Sequence, residues 1–148
     1  MAFVIRDVSE ADRPEWARLY QGYAEFYQVT QTAEMRETVW GWINDPGHET
    51  HCLVAAAPDG PLLGLTHFRP FARPLSATVG GFLDDLFVDP AVRGSGVADA
   101  LIEAVRSEGQ RRGWSVIRWI TAEDNYRARG VYDRLAERTK WLTYDIRL

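Results

Sequence analysis

A glycine-rich turn between a strand and a helix is the feature that most limits how this chain can fold. The segment DPAVRGSGVADAL, residues 89–101, follows the strand pattern GGFLDDLFV at 80–88 and runs into a helical pattern. A second strong strand pattern, WSVIRWIT, follows at 114–121. Strand, helix and parallel strand in this order form a right-handed crossover. The turn is therefore expected at the carboxyl end of a strand within a mixed sheet.

The composition of this turn is typical of a phosphate-binding loop. Arg93-Gly94-Ser95-Gly96 offers almost no apolar side chain for packing. Glycine admits positive φ angles and lets an anion approach the backbone, and the free N–H groups at a helix start favour negative charge. A tight strand-to-helix turn without a ligand fits the same residues. The turn has neither the Gly-Lys-Ser/Thr of a Walker loop nor the third small residue of a dinucleotide fingerprint.

The remaining periodicities predict a single α/β domain over residues 1–148. Strands are predicted at 3–8, 51–57, 62–68, 80–88, 114–121 and 141–148. Helices are predicted to start at Asp12 and Thr32 and to span about 95–112 and 125–137. The order β-α-α-β-β-β-α-β-α-β gives a mixed, mostly antiparallel sheet with helices on both faces. Two prolines within residues 69–77 predict a loop there.

Charge and hydropathy exclude several classes of function. A formal net charge of −4 argues against general nucleic-acid binding. No apolar run approaches the roughly 18 residues that a membrane span needs. The N-terminus turns acidic where a signal peptide would be apolar, so a cytoplasmic location is expected. The single cysteine, Cys52, and the three histidines do not have a metal-ligand spacing, so no metal site is predicted.

Two motifs occur in order in the second half of the chain. VDPAVRGSGVADALI fits Arg/Gln-x-x-Gly-x-Gly/Ala through Arg93, Gly96 and Ala98, with Gly94 as an additional glycine. EDNYRARGVYDRLA fits Asn-x-x-Ala-x-x-x-Tyr through Asn125, Ala128 and Tyr132. These motifs, at this separation, resemble those of the GCN5-related N-acetyltransferase (GNAT) superfamily. The predicted element order also matches that superfamily, so the resemblance covers essentially the whole chain.

The resemblance implies acetyl-CoA as the cofactor, in a wedge between the strands at 82–88 and 114–121. The backbone of Leu86, Phe87 and Val88 would pair with the pantetheine arm like an added strand. The pyrophosphate would lie on the N–H groups of Arg93, Gly94, Ser95, Gly96, Val97 and Ala98. Asn125, with Ala128 beside it, would contact the pantetheine chain, and Arg129 or Arg134 would reach a phosphate.

The same resemblance implies catalytic roles. The Val88 N–H would stabilise the oxyanion, and the Tyr132 hydroxyl would protonate the departing thiolate; apart from the motif, Tyr132 also fits a core tyrosine. Alternation places Asp84 and Asp85 on opposite faces of their strand, so at most one faces the cleft. Asp84, four residues before Val88, is preferred as the base or substrate anchor. Both carboxylates also fit a structural role in caps or salt bridges, and Glu123 is a weaker candidate.

The C-terminal sequence and the early WARLYQGYAEFY resemble the branch of fungal histone/polyamine acetyltransferases and their bacterial relatives. The expected activity is acetylation of a small-molecule primary amine, such as a polyamine or an amino acid. The alternatives are acetylation of protein lysine or N-terminal amines, and a non-catalytic acyl-CoA sensor. Aromatic and acidic side chains are candidates for the amine site: Tyr23, Tyr27, Trp40, Trp42, Asp84 and Asp85. By resemblance, a homodimer would pair or exchange the strand at 141–148.

Overall fold

A mixed, mostly antiparallel sheet carries helices on both of its faces, as the sequence predicts, and it has five strands. The computed structural model describes residues 2–148. Its strands are β1 Val4–Asp7, β2 His51–Ala56, β3 Leu62–Arg73, β4 Thr78–Val88 and β5 Ile117–Arg118. Its helices are α1 Arg13–Phe26, α2 Ala33–Asn44, α3 Val97–Arg112 and α4 Tyr126–Leu135. The strand order is β1-β2-β3-β4-β5. The β4–β5 pair is parallel and the other three pairs are antiparallel.

Each face of the sheet supports its own hydrophobic cluster. Successive residues of a strand point to opposite faces, and β2 places Val54 in one cluster and Ala55 in the other. The first cluster joins β2, β3 and β4 to α1 and α2, with Trp16 and Leu19 almost fully buried. The second joins the sheet to α3, whose Leu101 is fully buried. β4 is therefore flanked by α1 on one face and by α3 on the other.

Local sequence signals explain where the helices begin and end. The Thr32 hydroxyl accepts a hydrogen bond from the Met35 N–H and caps α2 as predicted. Gly113 ends α3 at φ 74°, a left-handed conformation that glycine adopts without a steric penalty. Asp12 precedes α1 but does not cap it through its side chain. Its carboxylate instead pairs with Arg6 at 2.6 Å, which ties the start of α1 to β1.

The predicted loop at 69–77 is wrong over its first half. β3 continues to Arg73 and pairs with β4 throughout, including Pro70 opposite Gly81. The neighbouring strand β2 has its first residue, His51, opposite Phe68, so it does not extend alongside the rest of β3. Beyond that point β3 is an edge strand, where a proline removes no hydrogen bond on the open side.

The last predicted strand, at 141–148, is also wrong for this structure. Residues 137–148, here called the C-terminal segment, form no strand or helix. β5 is likewise limited to two residues within the predicted 114–121. The apolar side chains of the C-terminal segment are largely exposed: Trp141, Leu142, Tyr144, Ile146 and Leu148. A strand needs a partner for its backbone groups, and this segment finds none among residues 2–148.

Within the described residues, no helix has the length and hydrophobicity required to cross a membrane.

Candidate active site

The glycine-rich turn presents a row of unused backbone N–H groups. Gly94 and Gly96 have φ angles of 83° and 85°, and a Cβ at either position would meet no atom within 4 Å. The N–H groups of residues 94–98 donate no hydrogen bond to any group in the described chain. The Ser95 hydroxyl donates to the Val92 carbonyl, which holds the turn without using its amides. The turn therefore opens onto free space at the start of α3, as a phosphate cradle requires.

β4 and β5 separate close to this turn. Their pairing ends at Phe82 and Arg118. Beyond it, residues 83–88 keep β3 on one edge but have no strand on the other edge within residues 2–148. The result is a wedge whose inner wall is an unpaired strand edge. An extended chain bearing amide groups fits such an edge by strand addition.

The register decides which backbone groups of β4 face this wedge. The Asp89 N–H donates to the Leu63 carbonyl at 2.8 Å. Hydrogen bonding to a given neighbour alternates from residue to residue in an antiparallel strand. Phe87 therefore turns its backbone groups toward β3, whereas Leu86 and Val88 turn theirs into the wedge. Of the three residues predicted to pair with pantetheine, only Leu86 and Val88 have this orientation.

The second motif forms one face of α4 beside the wedge. Asn125, Ala128 and Tyr132 are all partly buried, at the i, i+3 and i+7 spacing of a helix face. Tyr132 packs against Trp119, with 5.4 Å between ring centroids. Burial, together with the nearby Tyr27, raises the pKa of Tyr132 to about 12. Its hydroxyl has no hydrogen-bond partner in the described chain, so a neutral phenol is free to act as a donor.

The predicted phosphate-binding arginines differ in their surroundings. The Arg93 guanidinium lies 5.4 Å from the centre of the Phe26 ring. It lines a cleft of about 600 Å³ between α1 and the end of β4, together with Arg18. Its position beside the glycine-rich turn adds positive charge where a phosphate would be held.

The arginines of α4 already have partners. Arg129 donates to the Glu123 carbonyl. Arg134 pairs with Asp99 in the first turn of α3, at 3.2 Å. Both arginines therefore brace α4 against its surroundings, and either must give up a contact to reach a phosphate.

A pocket lined by tyrosines lies on the α1 side of β4. It has a volume of about 380 Å³, and Tyr20, Tyr23, Tyr27, Gln31 and Asp85 line it. Tyr23 and Tyr27 pack edge to face at 4.9 Å, and Tyr20 stacks on Tyr23. The sequence-predicted Tyr23, Tyr27 and Asp85 thus come together. Tyr20 and Gln31 were not predicted, although Tyr20 precedes Tyr23 and Tyr27 on the same helical stripe.

Two hydrogen-bond acceptors, an amide oxygen and a carboxylate, lie in the wall of this tyrosine pocket. The Gln31 Oε1 atom is buried without a hydrogen-bond partner among the described residues. Tyr20 donates to Asp85 at 2.9 Å, and burial raises the pKa of the Tyr20 phenol so that it stays protonated. On the wedge side, the Asn125 amide nitrogen donates to the Tyr27 hydroxyl at 3.5 Å. The pocket and the wedge are therefore adjacent.

The two aspartates of β4 do not follow the simple alternation that the sequence suggested. Residues 67–68 of β3 pair with Asp85 and Leu83, so Asp84 is the extra residue of a β-bulge. Asp84 pairs with Arg69 at 3.1 Å. Burial raises the pKa of Asp84, and the Arg69 charge opposes that rise. Asp85, rather than Asp84, lines the tyrosine pocket.

The two candidate tryptophans lie outside this pocket. Trp40 is 7% exposed and packs against Trp16 in the core, with 5.0 Å between ring centroids. Trp42 is 44% exposed and stacks on His48. Trp40 therefore packs in the core and Trp42 makes a surface contact, and neither lines the tyrosine pocket.

A histidine that the sequence did not single out for this site touches Asp85 from β3. The Nδ1 atom of His67 lies 2.8 Å from Asp85 Oδ2, and its Nε2 atom accepts a hydrogen bond from the Trp16 indole at 3.0 Å. The signal in the sequence was weak, because one histidine in an apolar strand is most often a satisfied core residue.

Comparison with known proteins places this architecture among acetyltransferases. Residues 16–136 match the model of the acetyltransferase (GNAT) family. A D-amino-acid N-acetyltransferase of Saccharomyces cerevisiae is 25% identical over 142 residues, covering 95% of this chain and 88% of that protein. A thialysine N-epsilon-acetyltransferase of Bos taurus is 29% identical, covering 91% of this chain and 84% of that protein.

Solved structures agree with the sequence matches. A ribosomal-protein-alanine N-acetyltransferase from Brucella melitensis biovar Abortus 2308 superposes with a TM-score of 0.82 at 25% identity, each chain being covered in full. AAC(6')-Iy in complex with a coenzyme A bisubstrate analogue gives the same TM-score at 20% identity, with 100% of this chain and 99% of that chain covered. The latter likeness concerns the fold alone.

Proposed function

We propose that this chain, which belongs to the acetyltransferase (GNAT) family and is an acetyl-CoA-dependent N-acetyltransferase, acetylates the primary amine of a small cationic molecule. The observation that carries the proposal is the tyrosine pocket next to the wedge. A carboxylate and a bare amide oxygen face three aromatic rings there. Carboxylate and carbonyl oxygens accept hydrogen bonds from an ammonium group, and aromatic faces attract its charge. The matched relatives named for D-amino acids and thialysine support a small amine.

The chain has residues that fit acetyl-CoA, which supplies the acetyl thioester when bound. The unbonded amides of 94–98 would hold the pyrophosphate at the start of α3. The outward groups of Leu86 and Val88 would pair with the pantetheine arm along the open edge of β4, and Asn125 would contact it from α4. Arg93 would contribute charge at the edge of the turn.

The placement of donors around the wedge supports direct transfer. The Val88 N–H would donate to the thioester carbonyl oxygen, where negative charge develops as the amine nitrogen bonds to the carbonyl carbon. The C–S bond breaks in the same transfer, and Tyr132 would give its phenolic proton to the leaving sulfur. Burial keeps that phenol protonated near neutral pH, because the pKa of Tyr132 is about 12. An ammonium group must lose two protons to become an amide nitrogen: Asp85 would accept the first, which frees the attacking lone pair, and the second would replace the proton that Tyr132 gives to the sulfur.

We assign the proton-accepting role to Asp85 instead of the sequence-preferred Asp84. Asp85 lines the pocket. Asp84 is engaged by Arg69 at 3.1 Å. Asp84 and Asp85 are adjacent in the bulged part of β4, so the kcat of Asp84→Asn compared with that of Asp85→Asn separates the two assignments.

Turnover of acetyl-CoA by a panel of amines, read as free thiol, tests the proposed function. The panel contains polyamines, D- and L-amino acids, lysine analogues and a lysine peptide. We expect small amines to be acetylated and Asp85→Asn to lower kcat by roughly a hundredfold or more, within the range for loss of a general base. Tyr132→Phe should also lower kcat, with coenzyme A affinity intact in both variants.

The other outcomes identify the competing functions. Acetylation of the peptide alone would show a protein acetyltransferase. Binding of coenzyme A without thiol release from any amine would show an acyl-CoA sensor. A larger loss in Asp84→Asn than in Asp85→Asn would return the catalytic role to Asp84.

We also propose that two copies exchange their C-terminal segments to form a homodimer. The segment alternates apolar side chains at Leu142, Tyr144, Ile146 and Leu148, all largely exposed. β5, the last strand of the sheet, leaves one backbone edge without a strand partner in the described chain. A strand from a second copy would satisfy that edge and cover the apolar side chains. The family match ends at residue 136, before this segment.

Sedimentation of the full chain at micromolar concentration tests the exchange. We expect a dimer that Ile146→Lys dissociates. Leu75→Lys is the matched control, because Leu75 is also fully exposed but lies outside the C-terminal segment. A monomeric wild-type chain, or equal dissociation by both variants, would exclude the exchanged dimer.

A further inference from the structure

We propose that His67, locked in one tautomer by Trp16, is the positioning residue that orients the Asp85 carboxylate toward the acceptor amine. The inference rests on the proposed function, because it assigns Asp85 to that amine. The residues come from three elements: Trp16 from α1, His67 from β3 and Asp85 from β4. Trp16 and His67 are 1% and 2% exposed, so the pair lies in the core directly behind the pocket.

The tautomer of His67 follows from the chemistry of its neighbours. An indole nitrogen is only a donor. Since Trp16 Nε1 lies 3.0 Å from His67 Nε2, that imidazole nitrogen must carry a lone pair. The proton of the neutral ring is therefore on Nδ1, which lies 2.8 Å from Asp85 Oδ2 and donates to it. The geometry thus defines a directed chain from indole to imidazole to carboxylate.

The chain leaves one oxygen of Asp85 for the substrate. Oδ2 accepts from His67 at 2.8 Å and from the Tyr20 hydroxyl at 2.9 Å. Oδ1 accepts no hydrogen bond from any other described residue. Two donors from different elements fix the plane of the carboxylate, so Oδ1 is the atom available to the amine in the tyrosine pocket.

The same geometry makes His67 an orienting group instead of a proton relay. A proton passed from Asp85 to the imidazole would return to Nδ1, which already holds one. Nε2 is the ring atom able to accept another proton, and the Trp16 N–H occupies its lone pair. The amine proton therefore ends on Asp85 and leaves through Oδ1 toward solvent.

The strand register favours this role over simple core packing. His67 and Asp85 are direct cross-strand partners, immediately before the bulge at Asp84. Thr66, the neighbour of His67, donates its hydroxyl to the Asp85 backbone carbonyl at 2.8 Å. Both the backbone and the carboxylate of Asp85 are thus held from β3, at the point where β4 changes its alternation.

Steady-state kinetics with the acetylated amine test the positioning role. His67→Leu removes the donor and should lower kcat about 10- to 150-fold, the size expected for one hydrogen bond to a charged group, with the KM for acetyl-CoA nearly unchanged. His67→Asn places an amide N–H near the Nδ1 position and should recover most of the loss. Trp16→Phe should lower kcat in the same direction. Trp40→Phe is the matched control, because Trp40 is a buried neighbour that makes no hydrogen bond to His67.

Nitrogen NMR of the imidazole tests the tautomer on which the positioning role depends, while the kcat loss and its rescue by His67→Asn separate that role from simple packing. We expect a protonated Nδ1 and an unprotonated Nε2 for His67 in the wild-type chain. Asp85→Asn should shift the Nδ1 signal, and Trp16→Phe should shift the Nε2 signal. The opposite tautomer, or a charged ring at neutral pH, would overturn the proposal whether or not any amine is acetylated.

The kinetic outcomes separate the two proposals. Full turnover by a folded His67→Leu variant, alongside an inactive Asp85→Asn variant, would refute the positioning role and leave the proposed function standing. Equal losses in His67→Leu and His67→Asn would also refute it, because the restored donor would then have no effect. If His67→Leu does not fold, His67→Asn and Trp16→Phe decide the question together with the spectra.

Discussion

Replacing Gly96 by alanine separates the backbone conformation of the glycine-rich turn from its proposed contact with phosphate. Gly96 has a φ angle of 85° at the start of α3, and Gly113 has a φ angle of 74° at its end. A Cβ added at either position would have no atom within 4 Å, so steric contact adds no cost to either substitution. Gly113→Ala is therefore a control matched in conformation and in space.

The expected loss of stability is the same for both variants. A left-handed conformation costs an alanine about 1 kcal/mol relative to glycine. For a chain of this length, 1 kcal/mol lowers Tm by about 2–4 °C. Thermal unfolding without ligand should therefore give similar shifts for Gly96→Ala and Gly113→Ala.

Affinity for coenzyme A should differ between them. Partial relief of that strain, by relaxation of residue 96 toward negative φ, turns its peptide unit and would remove one N–H from the row that the turn presents. A hydrogen bond to a charged group contributes about 1.5–3 kcal/mol, which corresponds to roughly a 10- to 150-fold weaker Kd. Titration calorimetry should show that loss for Gly96→Ala and less than about a twofold change for Gly113→Ala, since Gly113 lies outside the cradle. Equal affinity in the two variants would refute the phosphate cradle.

Three further perturbations test the packing and charges around the site. A Cβ in Gly64→Ala would lie 2.9 Å from the Phe87 carbonyl oxygen, so urea unfolding should show a loss of about 1–3 kcal/mol; an unchanged midpoint would contradict the β3–β4 register. The hydrogen bond from Arg6 is the main cause that lowers the pKa of Asp12 to about 2. The Arg6–Asp12 ion pair therefore stabilises the fold above pH 3.8, and this contribution is lost as the pH falls toward 2. Asp12→Asn should accordingly be less stable than wild type at pH 7 but not at pH 2, and a constant difference would argue against the ion pair. Burial raises the pKa of Tyr132 from 10.0 to about 12. The contribution of the protonated phenol to the free energy of unfolding is therefore complete below pH 10 and is lost as the pH rises through 12. Tyr132→Phe should flatten the fall in unfolding free energy over that interval, and an unchanged slope would place the phenol in solvent.

The sequence predicted the glycine-rich turn, the four helices and the first five strands because each has a local signal. Thr32 and Gly113 mark helix ends through hydrogen bonds and φ angles that depend on a few neighbouring residues. The errors concern pairing between distant residues. Pro70 is tolerated because β2 has already ended beside it, which periodicity does not reveal. The C-terminal segment has a strand-like pattern, but pattern alone does not provide a partner strand.

The candidate site shows the same division between local and distant signals. Tyr23 and Tyr27 were predicted from the attraction of aromatic rings for a cationic amine, and Asn125 and Tyr132 from a motif. Asp84 was preferred over Asp85 for its position four residues before Val88, and the bulge at Asp84 interrupts the regular alternation of that stretch. His67 was missed because its role depends on Trp16, 51 residues earlier in the chain. Residues whose role comes from contacts across the sheet carry no signature in their own neighbourhood.

The bulge at Asp84 connects the two halves of the site in physical terms. A bulge increases local twist and bends the strand that carries it. The pairing of β4 with β5 stops at Phe82, two residues before the bulge, and the backbone groups that face the wedge begin at Leu86, two residues after it. The extra residue Asp84 thus lies where the edge of β4 changes from paired with β5 to open. It also leaves Asp85 on the face of β4 that lines the tyrosine pocket. The wedge and the tyrosine pocket share this strand, so in the proposed reaction the thioester carbonyl and the amine would meet at β4 from its edge and its face.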